Sequence, residues 1–260
     1  MKSTLMMVAL AGAMAVPAAA SAQSVVALMD GNRIAVMDAR ALKAAAPMKV
    51  SGVSGKLLGI DVRPADGKLY GLFEDGTVAT IDPVSGTATV KAKLETMLPS
   101  GTAATVDFNP VADRLRVIGT DGTNLRANVD DGKVVRDGML KFADADKHTG
   151  KPAAIVAGAY TNSMKGVKET ALYDIDGKLG LLVKQAPPND GILNSVGAIG
   201  VEGKGYAFDI VAADAGANEG WLMAGTMLYR VDLATGKATS AGKVAGLDGT
   251  VTDIAIIPAM

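Results

Sequence analysis

The 260-residue chain contains no cysteine, one histidine, one tryptophan and only 4 % aromatic residues. Without cysteine there is no disulfide framework, no thiolate metal site and no thiol nucleophile. With His148 as the sole imidazole, a histidine-rich zinc cluster is excluded and a Ser-His-Asp triad has only one possible base. His148 lies in the polar run DADKHTGK (144–151), which predicts a solvent-exposed loop histidine. Glutamate is scarce too, with 5 Glu against 22 Asp. Glutamate favours helix interiors and aspartate favours turns, so this ratio predicts many turns and little helix.

Charge of either sign is not in excess. A formal net charge of −1 leaves no basic footprint for nucleic acid and no polybasic patch for a membrane surface. The phosphate-binding G-x-G-x-x-G and P-loop patterns and the H-E-x-x-H zinc motif are missing. The longest apolar run, Leu5–Val16, is shorter than the roughly 20 residues a spanning helix needs. It follows Lys2 and precedes Ala20-Ser21-Ala22, the pattern of a secretory signal peptide covering residues 1–22 with cleavage after Ala22. With no cysteine beyond it, a lipoprotein anchor is excluded. The expectation is an exported protein, periplasmic or extracellular, with no membrane anchor and a single domain over residues 23–260.

Turns are plentiful. ADGK (65–68), EDGT (74–77), TDGT (120–123), DDGK (130–133) and IDGK (175–178) each place Asp-Gly between apolar runs, a strong hairpin signal. DPVSGTAT (82–89) and DLATGKAT (232–239) share the pattern D-x-x-[ST]-G-x-A-T, in which the aspartate caps the turn and the glycine takes the left-handed position. Between turns the residues alternate, as in LGIDVRP (58–64) and VDFNP (106–110). GIDVRPADGKLYGLFEDGTVATIDPVSGTATV and TVDFNPVADRLRVIGTDGTNLRANVDDGKVV then read as one four-stranded unit used twice.

Four strands repeated at roughly 40–50 residues is the signature of a β-propeller. Opening strands near residues 60, 106, 159, 199 and 254 predict five blades, with a sixth possible in the wider gaps. The last apolar strand, VTDIAIIP (251–258), has no partners after it, and the first segment, from Ser24, lacks an opener. Joining the two closes the ring and removes two open sheet ends. A β-sandwich and a two-sheet solenoid are the competing architectures. VMDARALKAAAP (36–47) is the most helix-like piece and reads equally as a strand and a loop.

The blocks DFNPVADRLRV (107–117), DGTNLRAN (121–128), AYTN (159–162), ALYDID (171–176), PPNDGILNSVGAIGV (187–201) and LYRVDLATGKAT (228–239) resemble a bacterial family of secreted proteins known as a domain of unknown function. The resemblance implies a propeller-like extracytoplasmic domain and brings no catalytic residues with it.

Two sets of side chains are candidates for function. Asn109, Asn124, Arg126, Asn162, Asn189 and Asn194 fall near strand ends or in loops, where they could line the mouth of the channel. Asp61 and Asp107 sit in opening strands and are hard-oxygen ligands suited to calcium. Asp144 and Asp146 match a calcium loop poorly, lacking the distal glutamate. The structural alternative is an Asp–Arg ladder, with Asp107 across from Arg116 and Asp61 beside Arg63, and asparagines that serve only turns. The functional expectation is a binding or interaction module for a small molecule or an envelope protein. The alternative is a calcium-dependent, lactonase-like hydrolase, which would want an inward glutamate. Only Glu202 aligns with that position.

Overall fold

The computed structural model describes residues 24–203, 205–212 and 217–257. The predicted signal peptide therefore lies outside the described residues. Blade 1 contains β1 (Ser24–Met29), β2 (Arg33–Asp38) and two short strands, β3 (Lys43–Ala44) and β4 (Met48–Lys49). Blade 2 is β5 (Leu57–Val62), β6 (Leu69–Phe73), β7 (Thr77–Ile81) and β8 (Ala88–Lys93). Blade 3 is β9 (Ala104–Asn109), β10 (Arg114–Gly119), β11 (Asn124–Ala127) and β12 (Val134–Arg136). Blade 4 begins with the two-residue β13 (Lys141–Phe142) and continues through β14 (Ile155–Tyr160), β15 (Leu172–Asp176), β16 (Leu181–Gln185) and β17 (Ile192–Ala198). Blade 5 is β18 (Tyr206–Ala212), β19 (Asn218–Ala224), β20 (Met227–Val231) and β21 (Ala238–Lys243). The last strand, β22 (Val251–Ile257), pairs antiparallel with β1 and becomes the innermost strand of blade 1.

The five sheets form a ring. Each is an antiparallel meander running outward, apart from β13, which adds parallel to the rim strand β17. The innermost strands β5, β9, β14, β18 and β22 neighbour one another in that order, and β22 returns to β5. This is the five-bladed propeller that the repeat predicts, closed by strands from opposite ends of the sequence.

One opener differs from expectation. The segment 195–198 belongs to the rim strand β17 of blade 4, and the inner strand of blade 5 is β18, seven residues beyond the predicted position near 199. The apolar alternation of SVGAIG and that of YAFDI are equally good strand signals. Position in the blade is decided by which of them has a neighbour on both faces. The Ala-rich 36–47 segment is strand β2, a turn and the short β3, with no helical turn.

Burial follows distance from the axis. In β6, every residue is buried, because a central strand has a blade on each face. At the rim, β8 and β21 are mostly exposed, and each carries a bulge, with Lys91 and Lys93 in β8 and Lys243 in β21 discouraging edge pairing. Five apolar clusters fill the five blade interfaces. Two examples are Leu72, Val106, Phe108 and Leu115 between blades 2 and 3, and Met29, Met37, Trp221 and Met223 between blades 5 and 1. With so few aromatics, these clusters are mainly Leu, Ile, Val and Ala.

The twin turns behave alike. Asp82 Oδ1 accepts the Val84 amide at 2.8 Å, and Asp232 Oδ1 accepts the Ala234 amide at 2.8 Å. Gly86 and Gly236 follow at φ 71° and 80°. Gly132, in the DDGK turn, has φ 77°, and a Cβ there would lie 2.1 Å from the carbonyl oxygen of Lys93 in the neighbouring blade. Its own carbonyl accepts the Glu95 amide at 3.0 Å. Gly132→Ala is therefore expected to cost more than the roughly 1–2 kcal/mol of a left-handed alanine, because the seam between blades 2 and 3 must also part. Urea unfolding would measure it.

Candidate functional site

An innermost strand has a partner on one side only. Alternate amides along it point toward the channel, and a buried amide needs an acceptor. The aspartates of the inner strands supply most of them, reaching to the next blade around the ring. Asp61 Oδ2 accepts Phe108 N at 2.6 Å, Asp107 Oδ1 accepts Tyr160 N at 2.9 Å and Asp209 Oδ2 accepts Ile256 N at 2.6 Å. Asp253 Oδ2 accepts Ile60 N at 2.9 Å, and Thr105 Oγ1 accepts Gly158 N at 3.1 Å.

Where the preceding blade offers only alanine, the strand serves itself. Ala159 and Ala255 occupy the equivalent positions of β14 and β22. The amides facing them, Ile210 N and Val62 N, bond to their own neighbours, Asp209 Oδ1 and Asp61 Oδ1, each at 2.6 Å. Blades 4 and 5 are joined instead by Ser163 Oγ donating to Ile210 O and by a reciprocal pair between Asn162 and Asn218.

Asp61, Asp107 and Asp209 share one level of the channel, with one carboxylate oxygen from each lying within 4.8 Å of the others. Asp253 is set deeper, against Gly59, where a Cβ would come within 2.7 Å of its Oδ2. All four carboxyl groups are buried. Burial pushes the pKa of Asp61 and Asp107 well above the carboxylate range, and the other channel carboxylates add to the rise. Burial likewise raises Asp209 to about 6 and Asp253 well above its usual value. The asymmetry lies in Asp107, whose Oδ2 takes no amide while both oxygens of Asp61 and Asp209 do.

Above this level a cavity of about 210 Å³ opens toward the ends of the inner strands. Asp61 and Asp209 form its polar base, Val62, Ile210 and Ile256 its apolar wall, and Ser163 and Lys165 its rim. Three carboxylates from three blades, spaced as ligands on one ion and two of them at the base of this cavity, suit a hard divalent cation. Their oxygens keep lone pairs beyond those given to amides, so the donor set fits calcium.

The remaining predicted residues are placed elsewhere. Arg116 is 2 % exposed and binds Tyr160 Oη at 3.1 Å, Asn124 Oδ1 at 2.8 Å, Asp137 Oδ2 at 2.6 Å and Asn189 Oδ1 at 2.8 Å. Arg126 grips the same Asp137 with Nε at 2.6 Å and Nη2 at 2.9 Å. Asn124, Arg126 and Asn189 thus meet in one network that ties blade 3 to the 3-10 turn Pro188–Asp190 of blade 4. Asn194 Nδ2 donates to Ala186 O at 3.0 Å in the same connection. Asn109 caps the turn after β9 through the amides of Val111 and Ala112. Asn162, at φ 59°, holds Glu169 O as well as Asn218.

The expected Asp–Arg ladder is replaced by a division of labour. Arg116 stands opposite Asp107 in register, yet it pairs with Asp137, and Arg63 pairs with Asp113 and Asp130 at 2.6 and 2.7 Å. The channel aspartates keep to backbone amides. Glu202 is exposed in the connection between β17 and β18, so the inner acid of blade 5 is Asp209. Asp209 and Asp253 were both legible as an acid flanked by strand-formers, F-D-I and T-D-I, matching I-D-V and V-D-F.

His148 is less exposed than its sequence predicts, its side chain showing 14 % of its surface. Its Nδ1 lies 2.8 Å from Ser195 Oγ, which is 2.9 Å from Asp146 Oδ1. A relay needs carboxylate, imidazole and hydroxyl in series through both ring nitrogens. Here Ser195 Oγ and Asp146 Oδ1, the latter at 3.3 Å, both face Nδ1, and Asp146 also holds the amides of His148 and Ser195. The trio fastens the 143–150 loop to β17, and Asp146 is committed to that role.

Among solved structures, a protein of unknown function from Bacteroides thetaiotaomicron is similar at 16 % identity and a TM-score of 0.52, covering 93 % of this chain and 68 % of that one. A protein of unknown function from Bacteroides caccae aligns at 12 % identity and a TM-score of 0.46 over 92 % of this chain and 100 % of that one. A calcium-binding regucalcin from Agrobacterium tumefaciens aligns at 15 % identity and a TM-score of 0.49, covering 88 % and 72 %. At such identities the likeness is one of fold. No curated protein matches the chain. Residues 33–255, nearly the whole propeller, match the family described as Domain of unknown function (DUF4394), and the chain belongs to that family.

Proposed function

We propose that this domain is an exported binding module whose channel holds a calcium ion on Asp61, Asp107 and Asp209. The observation that carries the reading is the convergence of three buried carboxylates from three blades within 4.8 Å. Three like charges packed together in a buried channel must take up protons or a cation. A divalent ion relieves the repulsion without disturbing the amide bonds that place the carboxylates. The cavity above then presents the ion to a ligand oxygen entering between Ser163 and Lys165.

Binding is favoured over hydrolysis by what lines this cavity. A cation acting as a Lewis acid on a carbonyl would still want a group to manage the proton of the attacking water. Among the described residues, Ser163 and Lys165 are the polar side chains on offer there beyond the carboxylates, within a largely apolar wall.

Calcium at one hundred times its dissociation constant should add about 2.7 kcal/mol to the folded state, visible as a rise in Tm over the chelator-treated protein. Asp107→Asn should abolish that rise while leaving the protein folded without calcium, because the amide oxygen still accepts Tyr160 N. A Tm indifferent to millimolar calcium would overturn the reading. Export is tested separately, by an N-terminus at Gln23 in protein recovered from the periplasm or medium.

A further inference from the structure

Calcium takes about six to eight oxygen ligands. One oxygen each from Asp61, Asp107 and Asp209 supplies three, so the ion keeps positions that these residues do not fill. The cavity of about 210 Å³ is where a ligand reaches them, because Asp61 and Asp209 line its base and keep 7 % and 5 % of their surface open. Asp107 adds a free acceptor. Its Oδ1 takes the Tyr160 amide, and its Oδ2 accepts no hydrogen bond from the described residues. That oxygen is not sealed in, as the unpartnered oxygens of Asp174 and Gln185 are.

Charge decides which ligand oxygen fits. Three carboxylates against one divalent ion leave negative charge in excess, and a carboxylate brought by the ligand would add to it in a buried site. Lys165, the cation at the rim, is exposed, where water and salt screen it. A neutral carbonyl turns its oxygen to the ion without bringing a charge. The wall decides the rest. Val62, Ile210, Val211 and Ile256 line it and are all buried. Benzene fits an apolar cavity of about 150 Å³, so this one holds a compact body of roughly six carbons together with its carbonyl.

We propose that the cavity binds a small neutral carbonyl compound, its oxygen on the ion and its apolar body against Val62, Ile210 and Ile256. The ligand needs calcium on Asp61, Asp107 and Asp209, so its class rests on the reading above.

ε-Caprolactam is the probe, a neutral carbonyl on a compact six-carbon body. It is titrated into the full mature chain in saturating calcium and followed by calorimetry. Acetamide, which has the carbonyl without the body, and cyclopentanecarboxylate, which has the body with a charge, are the comparisons. ε-Caprolactam should bind about tenfold or more tightly than either, and chelator should weaken it by a similar factor. Val62→Phe, which fills the cavity, should weaken it as much while keeping the calcium-dependent rise in Tm. If that rise is present but ε-caprolactam does not saturate, or cyclopentanecarboxylate binds as tightly, the ligand class is overturned and the calcium site stands. Equal binding in chelator overturns it as well. Without the rise in Tm the calcium site falls, and the ligand class falls with it. The ligand comparisons use the parent chain, so they decide the matter even if Val62→Phe does not fold.

Discussion

Arg116→Ala is expected to destabilise the propeller by about 3–5 kcal/mol, the cost of breaking a buried ion pair from one side. Arg116 joins Tyr160, Asn124, Asp137 and Asn189 through four hydrogen bonds from three nitrogens, and it is almost fully buried. Its removal strands Asp137, whose side chain is 5 % exposed and retains only Arg126 among its arginine partners. At roughly 2–4 °C per kcal/mol for a domain of this size, Tm should fall by about 10 °C. Arg116→Lys should recover little, since a point charge cannot reproduce the planar fork. Removing both charges in Arg116→Ala/Asp137→Ala should cost less than the sum of the single variants, because the second change removes the uncompensated charge the first one leaves. Strict additivity in urea unfolding would mean that the pair contributes no coupling.

Asp174→Asn is expected to act in the opposite direction. Asp174 lies in the middle of β15, across from Gly158, fully buried, and neither carboxyl oxygen has a donor. Burial raises its pKa to about 8, against a smaller downward pull from Arg116. In the unfolded chain it titrates near 3.9. Between those values the unfolded state is ionised and the folded state protonated, so this group costs stability progressively as pH rises. The slope is about 1.4 kcal/mol per pH unit, levelling off above pH 8, and the cost disappears below about pH 4. Asparagine has no proton to hold. The variant should therefore be more stable than the parent at neutral pH, by an amount on the order of 4 kcal/mol, with the gap widening from pH 5 to 8 and then constant. Urea unfolding at pH 5, 7 and 9 with chelator present would show it. The channel carboxylates contribute the same sign to both proteins and cancel in the difference. A gap independent of pH would mean that Asp174 does not change protonation on unfolding in this window.

The fold was legible because propellers advertise their local parts. Asp-Gly turns and alternating strands recur with each blade, and the orphaned strand at 251–258 points to the gap at the start of blade 1. What the sequence does not state is which strand of a blade lies innermost. SVGAIG and YAFDI both alternate correctly, and only the packing of whole blades sends the first to the rim and the second to the axis. The misplacement hid Asp209, and with it the third carboxylate of the channel. Asp61 and Asp107 were visible singly, but their approach to Asp209 depends on sequence separations of a hundred residues or more, which no local pattern carries. The arginines were misread for a related reason. Cross-strand register puts Arg116 opposite Asp107, yet Asp107 is turned toward Tyr160 N in the next blade, and Arg116 finds its acid in a loop.

The pairing of β1 with β22 also has a consequence in time. Pairs across this clasp join residues as far apart as Ser24 and Ile257, 257 − 24 = 233 positions along the chain. Contacts this distant in sequence slow folding, because the entropy of closing the loop must be paid first. Until β22 is made, β1 has no inner partner, and the apolar faces of blades 1, 2 and 5 that it covers stay wet. The ring thus stays an open arc of blades until β22 pairs with β1, and only that step locks it.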